Sequence, residues 1–281
     1  MYGLKILGKI ELPEKKIRPE EYRPFLEEKL TARSREINEH WGLDFLDNEG
    51  AIKIPEGEET APDRQFVSDR EEEWAIYKLQ TVAEWQAARA KNPSLIAEMA
   101  VTLSLSRQLG DRFIVARASS YDDYRYGVDN LLIDKESGAA VCGFDDVLGF
   151  TGDDGGSKKQ EKMEKSLAAG GSRVKYGATV SAGRLLRQPL ENLPTFYLSL
   201  SKQELDDLLK DLKAGEMVSE KERALGNKLI NSLAAQREAA QGIATNPKLQ
   251  ENLNRFQESL LAMESLINKT EPEPELAAPE V

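Results

Sequence analysis

Three aspartates near the middle of the chain have the residue type and spacing of a metal site. Asp129 stands at the start of one apolar run, and Asp145 and Asp146 stand at the end of the next. If these runs are paired antiparallel strands, the start of one lies beside the end of the other, so the carboxylates converge. Side chains alternate between faces along a strand, so only one of Asp145 and Asp146 shares a face with Asp129, and we favour Asp145. Carboxylate oxygens are the ligands that Mg²⁺, or Mn²⁺ in its place, prefers.

Glu98 is a further candidate metal ligand. It is the only acid within a predicted, otherwise apolar helix over residues 93–109. We therefore expect its carboxylate to be partly buried. Burial of a carboxylate is costly unless a metal ion, a basic group or a hydrogen bond accompanies it, so we expect one of these beside Glu98.

Basic residues follow the acidic stretch. Lys158 and Lys159 come after a loop rich in Gly and Asp at residues 149–157 and begin a predicted helix over residues 158–168, where either ammonium could stabilise charge on a phosphate. Residues 158–187 contain eight basic and two acidic residues, a net charge of +6 in a chain whose net charge is −11. The residues expected to hold a phosphate backbone are Lys162, Lys165, Arg173 and Lys175. The alternative, which is the more frequent case for such charge runs, is a solvated helix face followed by a basic loop.

The segments that position these residues are predicted as a helix, three strands, a helix and further strands. The three strands are short apolar runs at residues 113–118 (FIVARA), 128–134 (VDNLLID) and 139–144 (AAVCGF). The short polar connection KESG between the last two predicts a hairpin. Residues 173–180 and 194–200 are predicted strands that extend the same sheet. The fold class is therefore α/β (α+β), with a central mixed sheet flanked by helices.

We expect four regions along the chain. They are an N-terminal helical arm and linker at residues 1–62, an α/β core at 63–201, a C-terminal helical hairpin at 202–269 and a disordered acidic tail at 270–281. The tail is rich in Pro and Glu and cannot form a core. The last helix carries a heptad seam of Leu249, Leu253, Phe256, Leu260, Met263 and Ile267. We expect the preceding helix to cover this seam, and a partner chain is the alternative.

The N-terminal third of the chain contains a predicted strand, a predicted linker and a predicted helix. Residues 4–12 predict an edge strand, and residues 50–62, which contain Pro and Gly, predict a linker. Residues 63–90 predict one helix with a packing face that contains Trp74 and Trp85.

Composition excludes several classes of protein. At 281 residues and 40% hydrophobic, the chain can bury a sizeable core, and it lacks the run of about 18 apolar residues that a membrane span requires. That absence predicts no membrane partner. The single cysteine, Cys142, excludes a disulfide framework, which predicts a reducing, cytoplasmic compartment. The single histidine, His40, excludes multi-histidine metal sites. The net charge of −11 argues against general nucleic-acid binding.

The order of the predicted segments is similar to the α-β-β-β-α-β core of the PD-(D/E)XK nuclease-like superfamily. The resemblance covers residues 93–180 and is carried by the sequences GVD, which ends at Asp129, and FD, which ends at Asp145. In that family an acid on the first helix, an Asp at the second strand and an acid-x-Lys at the third strand hold a divalent metal and a water. The resemblance implies a metal-dependent, nuclease-like enzyme with Glu98, Asp129 and Asp145 as metal ligands.

One position departs from the family pattern. Val147 stands two residues after Asp145, where the pattern has Lys. Lys158 or Lys159 of the following helix could supply the missing amine. If neither reaches the site, the protein binds metal or nucleic acid without cutting it.

Two other functions are consistent with the sequence. The first is a non-enzymatic scaffold or partner-binding protein that uses the C-terminal helical hairpin as a docking surface for another protein. The second is an enzyme that binds a phosphate ligand at residues 152–159, although that segment lacks the Gly-x-x-x-x-Gly-Lys-Ser/Thr spacing of a P-loop.

Overall fold

The structure of the protein, a computed structural model, describes residues 17–149, 153–215 and 217–269. The described α-helices are α1 (Arg23–Trp41), α2 (Ala61–Tyr77), α3 (Val82–Arg89), α4 (Pro93–Leu109), α5 (Ser120–Tyr126), α6 (Asp153–Ala168), α7 (Lys202–Ala214), α8 (Glu220–Ile243) and α9 (Pro247–Ile267). The described strands are β1 (Phe113–Arg117), β2 (Asn130–Asp134), β3 (Ala140–Leu148), β4 (Ser172–Ser181), β5 (Arg184–Leu193) and β6 (Thr195–Leu200). None of these helices is both long and apolar enough to cross a membrane.

The predicted mixed sheet is confirmed. In the described part of the chain it has the order β1-β2-β3-β6. The pairs β1/β2 and β2/β3 are antiparallel, and β3/β6 is parallel. A parallel pair needs a crossover connection, and α6 together with the β4–β5 hairpin occupies the chain between β3 and β6. Every residue of β1 and β2 is buried, as expected for strands covered on both faces.

Each face of the sheet packs against a different group of elements. One face contributes Phe113, Val115 and Leu132 to an apolar cluster with α4 and the C-terminal helices. The alternate residues Ile114 and Leu131 join a second cluster with the β4–β5 hairpin and with residues of the N-terminal arm. This division follows from the alternation of side chains along a strand.

The prediction that residues 173–180 extend the central sheet is wrong. They belong to β4, which pairs with β5 in a separate two-stranded sheet. The hairpin turns at Ala182 and Gly183, both with positive φ (49° and 70°), the combination that a tight two-residue hairpin loop requires. Its apolar side covers the central sheet instead of lengthening it, because Val174 packs against that sheet's second face.

The C-terminal helices are part of the main core. All six seam residues of α9 are buried, and α9 packs against α8 as an antiparallel neighbour. The same seam also contacts the sheet, where the ring of Phe256 stacks on that of Phe196 with centroids 5.2 Å apart. The helical region therefore completes the core that covers one face of the sheet.

The N-terminal third differs from prediction at two places. Residues 50–62 are not only a linker, because Ala51 forms a parallel bridge with Arg117 at the edge of β1. Residues 63–90 form two helices, α2 and α3, instead of one, because Thr81 and Glu84 form a capping box that starts α3. The predicted edge strand at residues 4–12 and the predicted disordered tail at 270–281 lie outside the described residues.

Candidate functional site

The first part of the site is a carboxyl pair where β2 begins and β3 ends. Asn130 pairs with Phe144, and the same antiparallel register, continued by one residue, places Asp129 directly opposite Asp145. The side chains of Asp129 and Asp145 share a hydrogen bond. Burial raises the pKa of Asp129 well above its ordinary value, and the charges of Asp145 and Glu98 raise this pKa further. The structure thus brings Asp129 and Asp145 together.

Asp146 turns to another set of partners. Its carboxylate Oδ2 accepts a hydrogen bond of 2.6 Å from the Nδ2 of Asn130, whose own Oδ1 accepts one of 2.8 Å from the hydroxyl of Thr102 on α4. The residue is only 7% exposed, and its Oδ1 has no hydrogen-bond partner among the described residues. Burial is the largest cause that raises the pKa of Asp146, and the charges of Glu98 and Asp145 raise it further. A buried acceptor without a partner is costly, so this oxygen is an unsatisfied polar group near the end of β3.

Glu98 does have the basic partner that its burial led us to expect. Its Oε2 lies 3.2 Å from the Nη2 of Arg117 on β1. The Nη1 of Arg117 lies 3.2 Å from Oε2 of Glu49, a residue of the N-terminal arm. Neither Arg117 nor Glu49 is among the residues predicted from the sequence. The available signal was an arginine at the end of the buried apolar run FIVAR, since a buried arginine is rarely left without acidic partners.

Asp123 is another acidic residue of the site that was not predicted from the sequence. It lies on α5, a short helix inserted between β1 and β2 that was also not predicted. Burial and the charge of Glu98 raise the pKa of Asp123 to about 6, although Arg89 opposes this shift from 3.5 Å away. Its neighbour Asp122 has a structural role, because that carboxylate accepts hydrogen bonds from the backbone N–H groups of Lys175 and Tyr176.

These five acids, Glu98, Asp123, Asp129, Asp145 and Asp146, are called the acidic site. Two cavities reach it. A groove of about 890 Å³ between the N-terminal arm, α2 and α5 is lined by Glu49, Arg117 and Asp123 among other residues. A smaller cavity of about 50 Å³ is lined by Asp145 and by Lys162 of α6. The ammonium of Lys162 lies directly against Gly127, since a Cβ atom built on that glycine would overlap it. Lys162 is therefore close to the acidic site.

The other basic residues predicted to hold phosphate have acidic partners. Lys165 lies 2.6 Å from Glu161, Arg173 lies 3.6 Å from Glu191, and Lys175 lies 2.5 Å from Asp63. The side chains of Lys158 and Lys159 lie outside the described part of the structure, although their backbone belongs to α6. The helix also starts earlier than predicted, at Asp153.

The carboxylates are neighbours without forming a preassembled cage. Within the described ranges, no group of three or more Asp, Glu, His or Cys side chains is arranged so that it could hold a metal ion. Asp129 and Asp145 contact each other, whereas Glu98 is held by Arg117 and Asp146 by Asn130.

Comparisons with known proteins give no relative for this chain. No protein-family model matches it, and neither the curated proteins nor the solved structures contain a match.

Proposed function

We propose that the protein is a metal-dependent, nuclease-like phosphodiesterase that binds Mg²⁺ or Mn²⁺ at Asp129 and Asp145. The observation that carries the proposal is the meeting of these two carboxyl groups, which come from separate strands. Two or three carboxylate oxygens on a rigid sheet are a suitable ligand set for a small divalent cation that keeps waters and substrate oxygens as its other ligands.

The electrostatics of the site support a cation. Burial, and after it the charges of neighbouring carboxylates, raises the pKa values of Asp123, Asp129 and Asp146, so their charged forms are disfavoured unless a cation accompanies them. The charge of Asp145 disfavours the charged form of Asp129, and a divalent cation bound by the pair would offset that repulsion. When bound, such a cation lowers the pKa of a bound water and neutralises charge on a phosphate.

The residues of this chain then have distinct roles. Asp129 and Asp145 would hold the cation, and the negative charges of Asp146 on β3 and Glu98 on α4 would favour its binding. Lys162 places an ammonium beside Gly127, where it stabilises negative charge that develops on the phosphate. Lys162 takes the role that was expected of Lys158 or Lys159.

The order of elements also supports the proposal. The path α4, β1, β2, β3, α6 and β6 and the sheet order β1-β2-β3-β6 correspond to the α-β-β-β-α-β core, with α5 and the β4–β5 hairpin as insertions. Fold order alone does not determine activity, so the acidic site carries the argument. Nucleic acid is the substrate class that we infer, and the cytoplasm is the compartment, consistent with the buried free thiol of Cys142.

The proposal is tested by cleavage assays with single- and double-stranded DNA and RNA, with Mg²⁺, Mn²⁺ or EDTA. Asp129→Asn and Asp145→Asn should each abolish cation-dependent cleavage. Asp134→Asn is the matched control, because Asp134 is also buried but lies at the other end of β2, where it pairs with Arg112 at 2.9 Å. Equal cleavage by the wild type and Asp129→Asn would contradict the proposal.

The alternative function, a partner-binding scaffold that docks another protein on the C-terminal helical hairpin, has less support. The seam of the C-terminal hairpin is buried against α8 and the sheet. A docking surface on that hairpin would have to use the remaining, outer face.

A further inference from the structure

A buried arginine connects the acidic site to the N-terminal arm. Arg117 is only 8% exposed and lies 3.2 Å from a carboxylate oxygen on each side, one of Glu98 and one of Glu49. Glu98 comes from α4 and raises the pKa of Asp129 through its charge. Glu49 comes from the arm, 68 residues away from Arg117 in sequence. One guanidinium is thus shared between the acidic site and a separate segment of the chain.

The arm fixes Glu49 in place. The N–H of Arg117 donates to the carbonyl of Gly50 at 2.9 Å, and the N–H of Ile52 donates to the carbonyl of Arg117 at 2.9 Å. The other oxygen of Glu49, Oε1, accepts a hydrogen bond of 2.7 Å from Arg23 on α1. Backbone pairing and a second arginine therefore hold the Glu49 carboxylate opposite Arg117.

Two carboxylates compete for the charge of this guanidinium. The more strongly Glu49 pairs with Arg117, the less of that positive charge neutralises Glu98. Arg117 is well suited to such a shared position, because the planar guanidinium offers several donors in fixed directions, and its Nε has no partner among the described residues.

We propose that Arg117 is a positioning residue for Glu98, and that Glu49 sets how much of the Glu98 charge is available to a divalent cation at the acidic site. The inference rests on the proposed function, because it assigns a second tier of residues to the same cation site. It makes residues 47–52 of the arm a part of that site.

The test is a double-mutant cycle on the full chain with Mn²⁺ alone as the probe. The dissociation constant for Mn²⁺ is measured by calorimetry for the wild type, Glu49→Gln, Glu98→Gln and the double variant. Glu27→Gln is the matched control, since Glu27 also pairs with Arg23 and its side chain is 39% exposed, close to the 36% of Glu49. A purely structural role for Glu49 would change the unfolding temperature without changing the dissociation constant of the folded protein.

The expected results distinguish the two proposals. Glu49→Gln should weaken Mn²⁺ binding about fivefold, and Glu98→Gln should weaken it more. The double variant should bind like Glu98→Gln alone, because Glu49 acts through Glu98. The role of Arg117 and Glu49 is overturned if Glu49→Gln leaves the dissociation constant for Mn²⁺ unchanged. It is also overturned if Glu49→Gln changes that constant by the same factor in the wild type and in Glu98→Gln. No Mn²⁺ binding by the wild type overturns the proposed function itself.

Discussion

The backbone N–H of Asp146 donates a hydrogen bond of 3.0 Å to Oδ2 of Asp129. This bond ties the start of β2 to the end of β3 through a side chain, just beyond the last backbone pair between them at Asn130 and Phe144. It directs the Asp129 carboxyl group toward β3, where it also meets Asp145. The acidic pair is therefore held by the sheet and does not depend on a mobile loop.

Replacing Asp129 by Asn should separate stability from cation binding. The amide oxygen of Asn can still accept the bond from Asp146, and the variant no longer carries a buried carboxyl whose charged form is disfavoured. We expect the free energy of unfolding in EDTA at pH 7 to be unchanged or higher by about 0.5–1 kcal/mol. Mn²⁺ should raise the unfolding temperature of the wild type but not of the variant. A loss of stability in EDTA would contradict this account.

Lys162 should matter for turnover more than for cation binding. Lys162→Met removes the ammonium beside Gly127, and we expect the cleavage rate to fall by about 10²-fold with little change in Mn²⁺ affinity. Lys165→Met, three residues further along α6, removes an ammonium that pairs with Glu161, and the rate should be unchanged. Equal rates for the two variants would exclude a catalytic role for Lys162.

Two glycines with similar backbone angles provide a matched pair of variants. Gly127 (φ 67°) and Gly42 (φ 59°) both end a helix in the left-handed region, so alanine should cost about 1 kcal/mol of stability at either position. A Cβ at Gly42 meets nothing within 4 Å among the described residues, whereas one at Gly127 displaces Lys162. We therefore expect thermal melting to give similar unfolding temperatures for the two variants. Activity assays should show a lower cleavage rate only for Gly127→Ala.

The raised pKa of Asp123 should make stability depend on pH. The folded protein keeps the Asp123 proton up to about pH 6, whereas the unfolded chain releases it near the ordinary value of 3.8. Between these values the folded state binds more protons, so this group lowers the free energy of unfolding as pH rises. Asp123→Asn should therefore have a higher free energy of unfolding than the wild type, and urea denaturation should show this difference growing from pH 4 to pH 6. A difference that stays constant between pH 4 and pH 6 would contradict the raised pKa.

Gln236 should protect the edge of the sheet. Its Oε1 accepts from the N–H of Tyr197 at 3.0 Å, and its Nε2 donates to the carbonyl of Tyr197 at 2.8 Å, so the side chain of α8 completes the hydrogen bonds of β6. Gln236→Met should lower the free energy of unfolding by about 1–2 kcal/mol, measured by urea denaturation. Gln241→Met, on the exposed part of the same helix, should cost much less. An exposed edge also predicts faster aggregation of Gln236→Met.

The order of elements and the acidic pair could be predicted because both depend on local rules. Apolar runs separated by turn residues predict strands, and antiparallel pairing places Asp129 beside the end of the next strand whatever surrounds it. The two-helix form of residues 61–89 was missed although its signal, the capping pattern from Thr81 to Glu84, is local. The separate β4–β5 sheet was missed because strand type does not determine which strand is the partner.

By itself, the sequence determined the α/β class, the hairpin and the meeting of Asp129 with Asp145, since these follow from the periodicity of side chains and the direction of neighbouring strands. Only the tertiary structure decided that Arg117 joins Glu98 to Glu49 and that Lys162 reaches Gly127. These contacts join residues from elements that are separated along the chain. Their distances are set by how helices and the arm pack on the sheet, and no local pattern of residues encodes that packing.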